Sequence, residues 1–199
     1  MPFNVNKCKV MHAGNNNQNN GYDIEGLPID VVTEEKDLGV IISRDLKVDK
    51  QCSKAANTAN RILGLIRRSI VNRSKNIMIK LYKSLVRPYL DYCIQIWKPY
   101  LNKDIITLEK VQRRFSRMVQ GLTNLSYEER LKRLGLTTLE TRHLRADLLE
   151  VFKIMTDKEK VDKDKFFCLN TRKFRGHQYK IYKKNRFDLI YENMVSAIE

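Results

Sequence analysis

Residues 47–87, KVDKQCSKAANTANRILGLIRRSIVNRSKNIMIKLYKSLVR, carry eleven basic residues against one acid, Asp49, and so hold +10 of the chain's net charge of +15. Within them Cys52, Ala55, Ala56, Ala59, Ile62, Leu63, Ile66 and Ile70 recur at intervals of three and four, the period of an amphipathic helix. At ~100° per residue, Lys50, Lys54, Arg61 and Arg68 share the opposite face with Asn57 and Gly64. One face asks for a core and the other for a negative partner. A solvated lysine-rich face is the plainer alternative. Against it stands the scarcity of acids, because like charges at helical spacing repel.

Moving outward, the chain has 199 residues, 42% hydrophobic and 31% charged, with a pI near 9.7. That is enough to bury a core, and the basic balance points to a polyanion, nucleic acid before an anionic membrane. No apolar run reaches the ~20 residues of a membrane span. The N-terminus lacks the pattern of a secretory signal. Cys8, Cys52, Cys93 and Cys168 are scattered, as expected of reduced, mostly buried thiols. A nuclear or cytoplasmic protein, not a secreted one, is the expectation.

Upstream of the basic stretch, residues 6–12 alternate like a strand, 14–21 form an Asn/Gly turn, and Tyr22–Glu25 is expected to pair back as a hairpin. Lys36–Ser43, apolar and β-branched, reads as the best single strand. Downstream the periodicity predicts helices from Asp49 to Ser69 and from an N-cap at Ser74, the latter with Ile77, Met78, Leu81, Tyr82 and Leu85 inward. Pro88 should end or kink the second helix. An aromatic helical segment over Tyr89–Trp97 is expected next, stopped by Pro99. A helix over Lys103–Gln120 should bury Leu108, Val111, Phe115 and Met118, show Lys110, Arg113, Arg114 and Arg117, and stop at Gly121. Two capping boxes, Ser126–Glu129 and Thr137–Glu140, open helices to Leu134 and to about Met155. The last of these helices carries Leu144, Leu148, Val151, Phe152 and Met155 on one face and is expected to close the bundle. Charged residues 156–165 read as a linker, and no secondary structure can be assigned beyond.

The fold class expected is therefore α+β, predominantly α. Residues 1–46 form a small antiparallel β remnant, 47–155 a basic helical bundle, and 156–199 a linker with a basic, aromatic tail. Catalytic chemistry does not show itself. His12, His143 and His177 stand far apart, no Cys or His pair has metal spacing, and there is no Gly-rich phosphate loop. No Asp-Asp pair exists to hold Mg²⁺. Glu34-Glu35 and Glu128-Glu129 fall in a turn and a cap, and nothing in their spacing makes Asp30, Asp37 and Asp45 converge.

Several stretches have a familiar wording: Phe3-Asn-Val-Asn-Lys-Cys-Lys-Val-Met-His12, Glu35-Lys-Asp-Leu-Gly-Val-Ile-Ile-Ser43 and Leu81-Tyr-Lys-Ser-Leu-Val-Arg-Pro-Tyr-Leu-Asp-Tyr-Cys93. Leu108-Glu-Lys-Val-Gln-Arg-Arg114 and Leu125-Ser-Tyr-Glu-Glu-Arg-Leu-Lys-Arg-Leu-Gly-Leu-Thr-Thr-Leu-Glu140 continue in order. Together, over residues 2–155, they resemble the C-terminal part of LINE-type (non-LTR) retrotransposon reverse transcriptases of the jockey-like and related clades. The resemblance implies an RNA-directed DNA polymerase whose Mg²⁺-binding Tyr/Phe-x-Asp-Asp motif would precede Met1. Residues 22–43 would then be the primer-grip region and 47–120 the thumb with the helices after it. Asn4–Lys7 matches an Asn-x-x-Lys motif, placing Lys7 where the family has a lysine associated with pyrophosphate departure. The ending, Asn193–Glu199, departs from the family's Trp-Asn-x-Leu-Pro.

Both lines lead to the same expectation. This is a polymerase fragment without catalytic residues, cofactor or bound metal of its own. It would hold RNA, RNA–DNA hybrid or DNA without regard to sequence, through Lys50, Lys54, Arg61, Arg68, Lys80, Lys83, Arg87, Lys110, Arg113, Arg114 and Arg117. A separate palm domain is a conceivable partner. The competing readings are a helical protein-interaction module, a nuclease built on dispersed acids, and a decayed relic with no selected activity.

Overall fold

The longest helix, α1 (Asp49–Ser69), follows the apolar stripe, burying Cys52, Ala55, Ala56, Ala59, Leu63 and Ile66. The three alanines present little side-chain bulk, which permits close approach of a neighbouring helix. That neighbour is α5 (Asn102–Met118), which buries Leu108, Val111 and Phe115. The computed structural model describes residues 4–14 and 17–167, in two compact units, one up to Leu144 and one from Arg145. The architecture is α+β and predominantly α.

The N-terminal part holds only short strands. β1 (Lys9–Val10) pairs parallel with β4 (Asp30–Val31), and β2 (Asp23–Ile24) pairs antiparallel with β3 (Leu27–Pro28) around Gly26. The expected strand over 6–12 shrinks to β1, because Val5–Lys7 is a 3₁₀ turn. The expected single strand over Lys36–Ser43 is a hairpin instead. β5 (Glu34–Asp37) pairs with β6 (Val40–Ser43), and Leu38 and Gly39 turn between them at φ 43° and 91°. Positive φ at both central residues is the type I′ signature that joins twisted strands tightly. Val40 and Ser43 are buried, and the Gln51 Oε1 accepts the Ile41 N–H at 3.0 Å, fastening β6 to the start of α1.

The second helix departs from its expected phase. α2 (Lys75–Leu81) widens into a π turn over Tyr82–Val86, in which Arg87 N–H donates to the Tyr82 carbonyl at 2.9 Å, and then continues as α3 (Pro88–Asp91). Pro88 neither stops nor sharply breaks the run. The wide turn lies immediately before the proline, whose ring offers no N–H to continue the regular ladder. The inserted residue shifts the buried set to Met78, Tyr82, Val86 and Leu90, spaced by four, and leaves Ile77 and Leu85 exposed. Helix then stops at Tyr92, with Cys93 left-handed at φ 50°, so that only Ile94–Trp97 (α4) remains helical before Pro99.

α5 ends at Met118, two residues before the expected end at Gln120. α6 (Tyr127–Leu134) opens with the Ser126/Glu129 capping box in full. α7 (Leu139–Met155) is capped one residue later than expected, Thr138 Oγ1 accepting the Thr141 N–H at 3.2 Å. Leu139 and His143 are buried, whereas Leu144, Leu148 and Phe152 are 51%, 61% and 51% exposed and only Met155 of its apolar stripe is enclosed. At ~100° per residue Leu139 and His143 lie on the far side of the helix from Leu148. A last turn, α8 (Lys163–Phe166), completes the described chain. The tail, with His177 and Cys168, lies outside the described residues. Cys52 is buried, and burial pushes its thiol up to about 12, whereas Cys8 and Cys93 are half-buried.

One charged cluster ties α3 to the beginning of α7. Asp91 lies 2.7 Å from Arg142 Nε, 3.4 Å from His143 Nε2 and 3.6 Å from Arg87 Nε. Burial favours the neutral Asp91 carboxyl, but the His143 ring beside it and the hydrogen bond from Arg142 outweigh it and hold the group below its ordinary value. A carboxyl so depressed contributes stability that is present above the unfolded-state value of ~3.9 and is lost as pH falls through the folded one. Asp91→Asn is therefore expected to cost about 1–3 kcal/mol at pH 7 and to flatten the loss of stability below about pH 4. Urea titrations of both proteins between pH 7 and pH 3 check this, and parallel curves would remove Asp91 from the account.

Candidate nucleic-acid interface

Helix α5 has three working faces. Leu108, Val111 and Phe115 face the core, with Phe115 stacked on Tyr82 at 4.1 Å between ring centroids. A second, polar side is buried against the α6 region. Tyr82 O–H donates to Gln112 Oε1 at 2.8 Å. The Gln112 amide nitrogen lies 2.9 Å from the Thr137 carbonyl, 3.0 Å from Tyr127 Oη and 3.2 Å from Glu109 Oε1. Tyr127 O–H donates to Glu109 Oε1, and Leu139 N–H to Glu109 Oε2 at 2.9 Å. Burial pushes both phenols up, and for Tyr127 the bond to Glu109 adds to that push, so both keep the protons they donate. Buried polar groups satisfied in this way hold one arrangement of segments against slippage.

The third face is basic. Lys110, Arg113, Arg114 and Arg117 meet Arg67 of α1 and Arg73 of the α1–α2 connection around a cleft of about 480 Å³, with Met118 at its edge. Among the described residues no carboxylate lines it. Arg114 is held by the Asn60 side-chain oxygen at 3.1 Å. Arg73 donates to the carbonyls of Arg67 at 2.9 Å and Ile70 at 3.4 Å, covering the C-terminal end of α1, and its own carbonyl accepts the Gln120 N–H at 3.0 Å. Neutral acceptors thus position two of the cations without cancelling their charge. Among the described residues none of the six forms an ion pair.

The other expected contact residues are placed differently. Lys50 is ion-paired with Glu34, and its ammonium pKa is raised by that bond. Lys54 donates to the Gly39 carbonyl at 3.1 Å, and burial, then the nearby Lys36, lowers its pKa. Both have turned onto the β5–β6 hairpin. Arg61 and Arg68 stay exposed on the outer face of α1, Lys80 and Lys83 are exposed on the α2 run, and Arg87 is half-buried beside Asp91. The structure therefore unites the α5 row but does not bring the α1 outer row into the same cleft. Lys7 is exposed on the 3₁₀ turn. Asp30 and Asp45, considered for a nuclease, are engaged by Lys9 and Lys47.

Arg67 and Arg73 are the cleft residues that the outer-row reading omits. Counting from Leu63 at the centre of the buried stripe, Arg67 stands ~40° and Asn60 ~60° round α1, whereas Arg61 and Arg68 stand ~140–160° away. Arg67 and Asn60 thus flank the core on the side where α5 lies, a signal available only once the packing partner is known.

The polar side of α5 fixes where its basic side points. Gln112→Leu strands Tyr82, Glu109 and the Thr137 carbonyl without their shared partner and is expected to destabilise the fold by about 2–4 kcal/mol. Urea denaturation with an unchanged m-value checks this, and a loss under ~1 kcal/mol would show that the network carries little.

No family model, no curated protein and no solved structure matches this chain.

Proposed function

We propose that this chain binds nucleic acid through the α1–α5 cleft, gripping the sugar–phosphate backbone without reading sequence. It would act as the thumb-like part of a LINE-type reverse transcriptase and have no polymerase activity of its own. One observation carries the reading: six cations converge on one cleft that no acid among the described residues lines, while lysines elsewhere, such as Lys9, Lys47 and Lys50, already have carboxylate partners. Five of the six are arginines, whose planar forks match phosphate oxygens. The sequence resemblance, whose stretch Leu108–Arg114 supplies three of the six, points the same way. A chain without an Asp-Asp pair offers no metal-binding carboxylates of the polymerase kind.

A second reading, a helical protein-interaction module, is favoured by the exposed stripe of Leu144, Leu148 and Phe152 on α7. Among the described residues no helix is long and apolar enough to cross a membrane.

Binding to a fluorescent RNA–DNA hybrid, titrated at several salt concentrations, separates the two. The expected outcome is a steep log–log fall of affinity, about −0.7 to −0.9 per phosphate neutralised. Replacing Arg67, Arg113 and Arg117 by Gln should flatten the slope by about 2–3, whereas Arg61→Gln with Arg68→Gln should change it less. Weak, salt-indifferent binding by a folded sample would sink the nucleic-acid reading. A larger effect from the outer pair would move the site to the far face of α1.

A further inference from the structure

Arg113 occupies the cleft without a hydrogen bond or ion pair from its guanidinium to any described residue, so something else must hold it. The ring of Tyr127 does: Arg113 Cζ lies 4.7 Å from its centroid. We infer that Tyr127 is the positioning residue of the cleft, an aromatic platform beneath Arg113 that aims its guanidinium at a phosphate. The inference rests on reading the cleft as the binding site.

Two features converge on the ring. Its plane is fixed from behind, since the phenol donates to Glu109 and accepts from Gln112 at 3.0 Å, both inside the buried side of α5. A second guanidinium, that of Arg130, lies 5.6 Å from the same centroid and is itself immobile, donating to Ser116 Oγ at 2.9 Å and to the Leu125 carbonyl at 2.6 Å. Arg130 is only 4% exposed, and burial first, then the neighbouring Arg117, lowers its pKa. Arg113 therefore stands over an aromatic face that attracts it, with the fixed cation of Arg130 beside the same ring.

Contact over a ring face engages the guanidinium's π surface and leaves all five N–H donors unspent. A carboxylate partner would hold Arg113 as firmly, but it would use those donors and cancel the charge. The second residue of the Ser126–Glu129 capping box thus does more than continue α6. The box sets the first turn of the helix, and with it the placement of the ring.

The test is a double-mutant cycle on hybrid binding, joined to an NMR measurement on the free protein. Tyr127→Leu is expected to weaken binding about three- to fivefold and to flatten the salt slope by about one phosphate. Tyr127→Phe keeps the ring and should rescue the slope, although its melting temperature falls with the loss of the phenol. Because Tyr127 acts through Arg113, Tyr127→Leu added to Arg113→Gln should bind within about twofold of Arg113→Gln alone. Effects that multiply, or a flattened slope in Tyr127→Phe as well as Tyr127→Leu, would overturn the inference. Without any ligand, the Arg113 Nε–H resonance, assigned by its absence in Arg113→Gln, should be ring-current shifted upfield in wild type and Tyr127→Phe and return in Tyr127→Leu. If the wild type fails to bind the hybrid, the nucleic-acid reading falls and the resonance alone decides the platform. An identical position in all three proteins refutes it.

Discussion

Gln112 is the side chain on which the arrangement of the helices depends. It stands on α5 at the junction of the π turn, α6 and the start of α7, linking Tyr82, Tyr127, Glu109 and Thr137 in one buried set of hydrogen bonds. An apolar residue there could bury as much area, but it would leave α5 free to rotate between the alanine-rich surface of α1 and the α6 side. Polar partners with fixed directions remove that freedom. The consequence reaches the surface, because a helix has only 360° to share. With one side committed to Phe115 and its neighbours and another to Gln112 and Glu109, Lys110, Arg113, Arg114 and Arg117 have one direction left.

Charge placement follows from that constraint. The net +15 is not spread evenly over the molecule. Lys9 and Lys47 meet carboxylates, and Lys50 and Lys54 are drawn onto the β5–β6 hairpin. Arginines gather where neutral acceptors, namely Asn60, the end of α1 and the ring of Tyr127, hold them in place. A cluster of this kind is self-repelling when empty, so any polyanion that enters relieves repulsion as well as forming new contacts.

What the sequence showed and what it hid divide along a physical line. Local pattern sufficed for α1, whose bounds follow from the spacing of Cys52 to Ile66, and for α6, whose Ser126 and Glu129 are an unambiguous cap. It failed where a turn had no standard signal. Leu38-Gly39 is a two-residue hairpin turn with a leucine at positive φ, so Lys36 and Asp37 of β5, the turn and β6 read as one strand. Pro88 was legible as a disturbance, but its resolution by a π turn, and the resulting exchange of Leu85 for Val86 in the core, depends on Tyr82 and Val86 finding places between α1 and α5. On α7, Leu139 and His143 are buried, whereas Leu144, Leu148 and Phe152, which share the pattern of a core face, are exposed.

The cleft shows the same division. The row on α5 could be read from its spacing because its four cations share one face of one helix. Arg67 could not, for its role depends on which flank of α1 receives α5, and that is a matter of packing with a helix distant in sequence. Arg73 lies outside any helix and reaches the cleft because the end of α1 needs a donor for its carbonyls. A scan for the most basic face therefore finds the outer row of α1, where charge is dense but partly claimed by the hairpin. The more consequential quantity is charge held in position without an acid beside it. By that measure the centre of the molecule's basic character is Arg113, an arginine anchored by an aromatic ring.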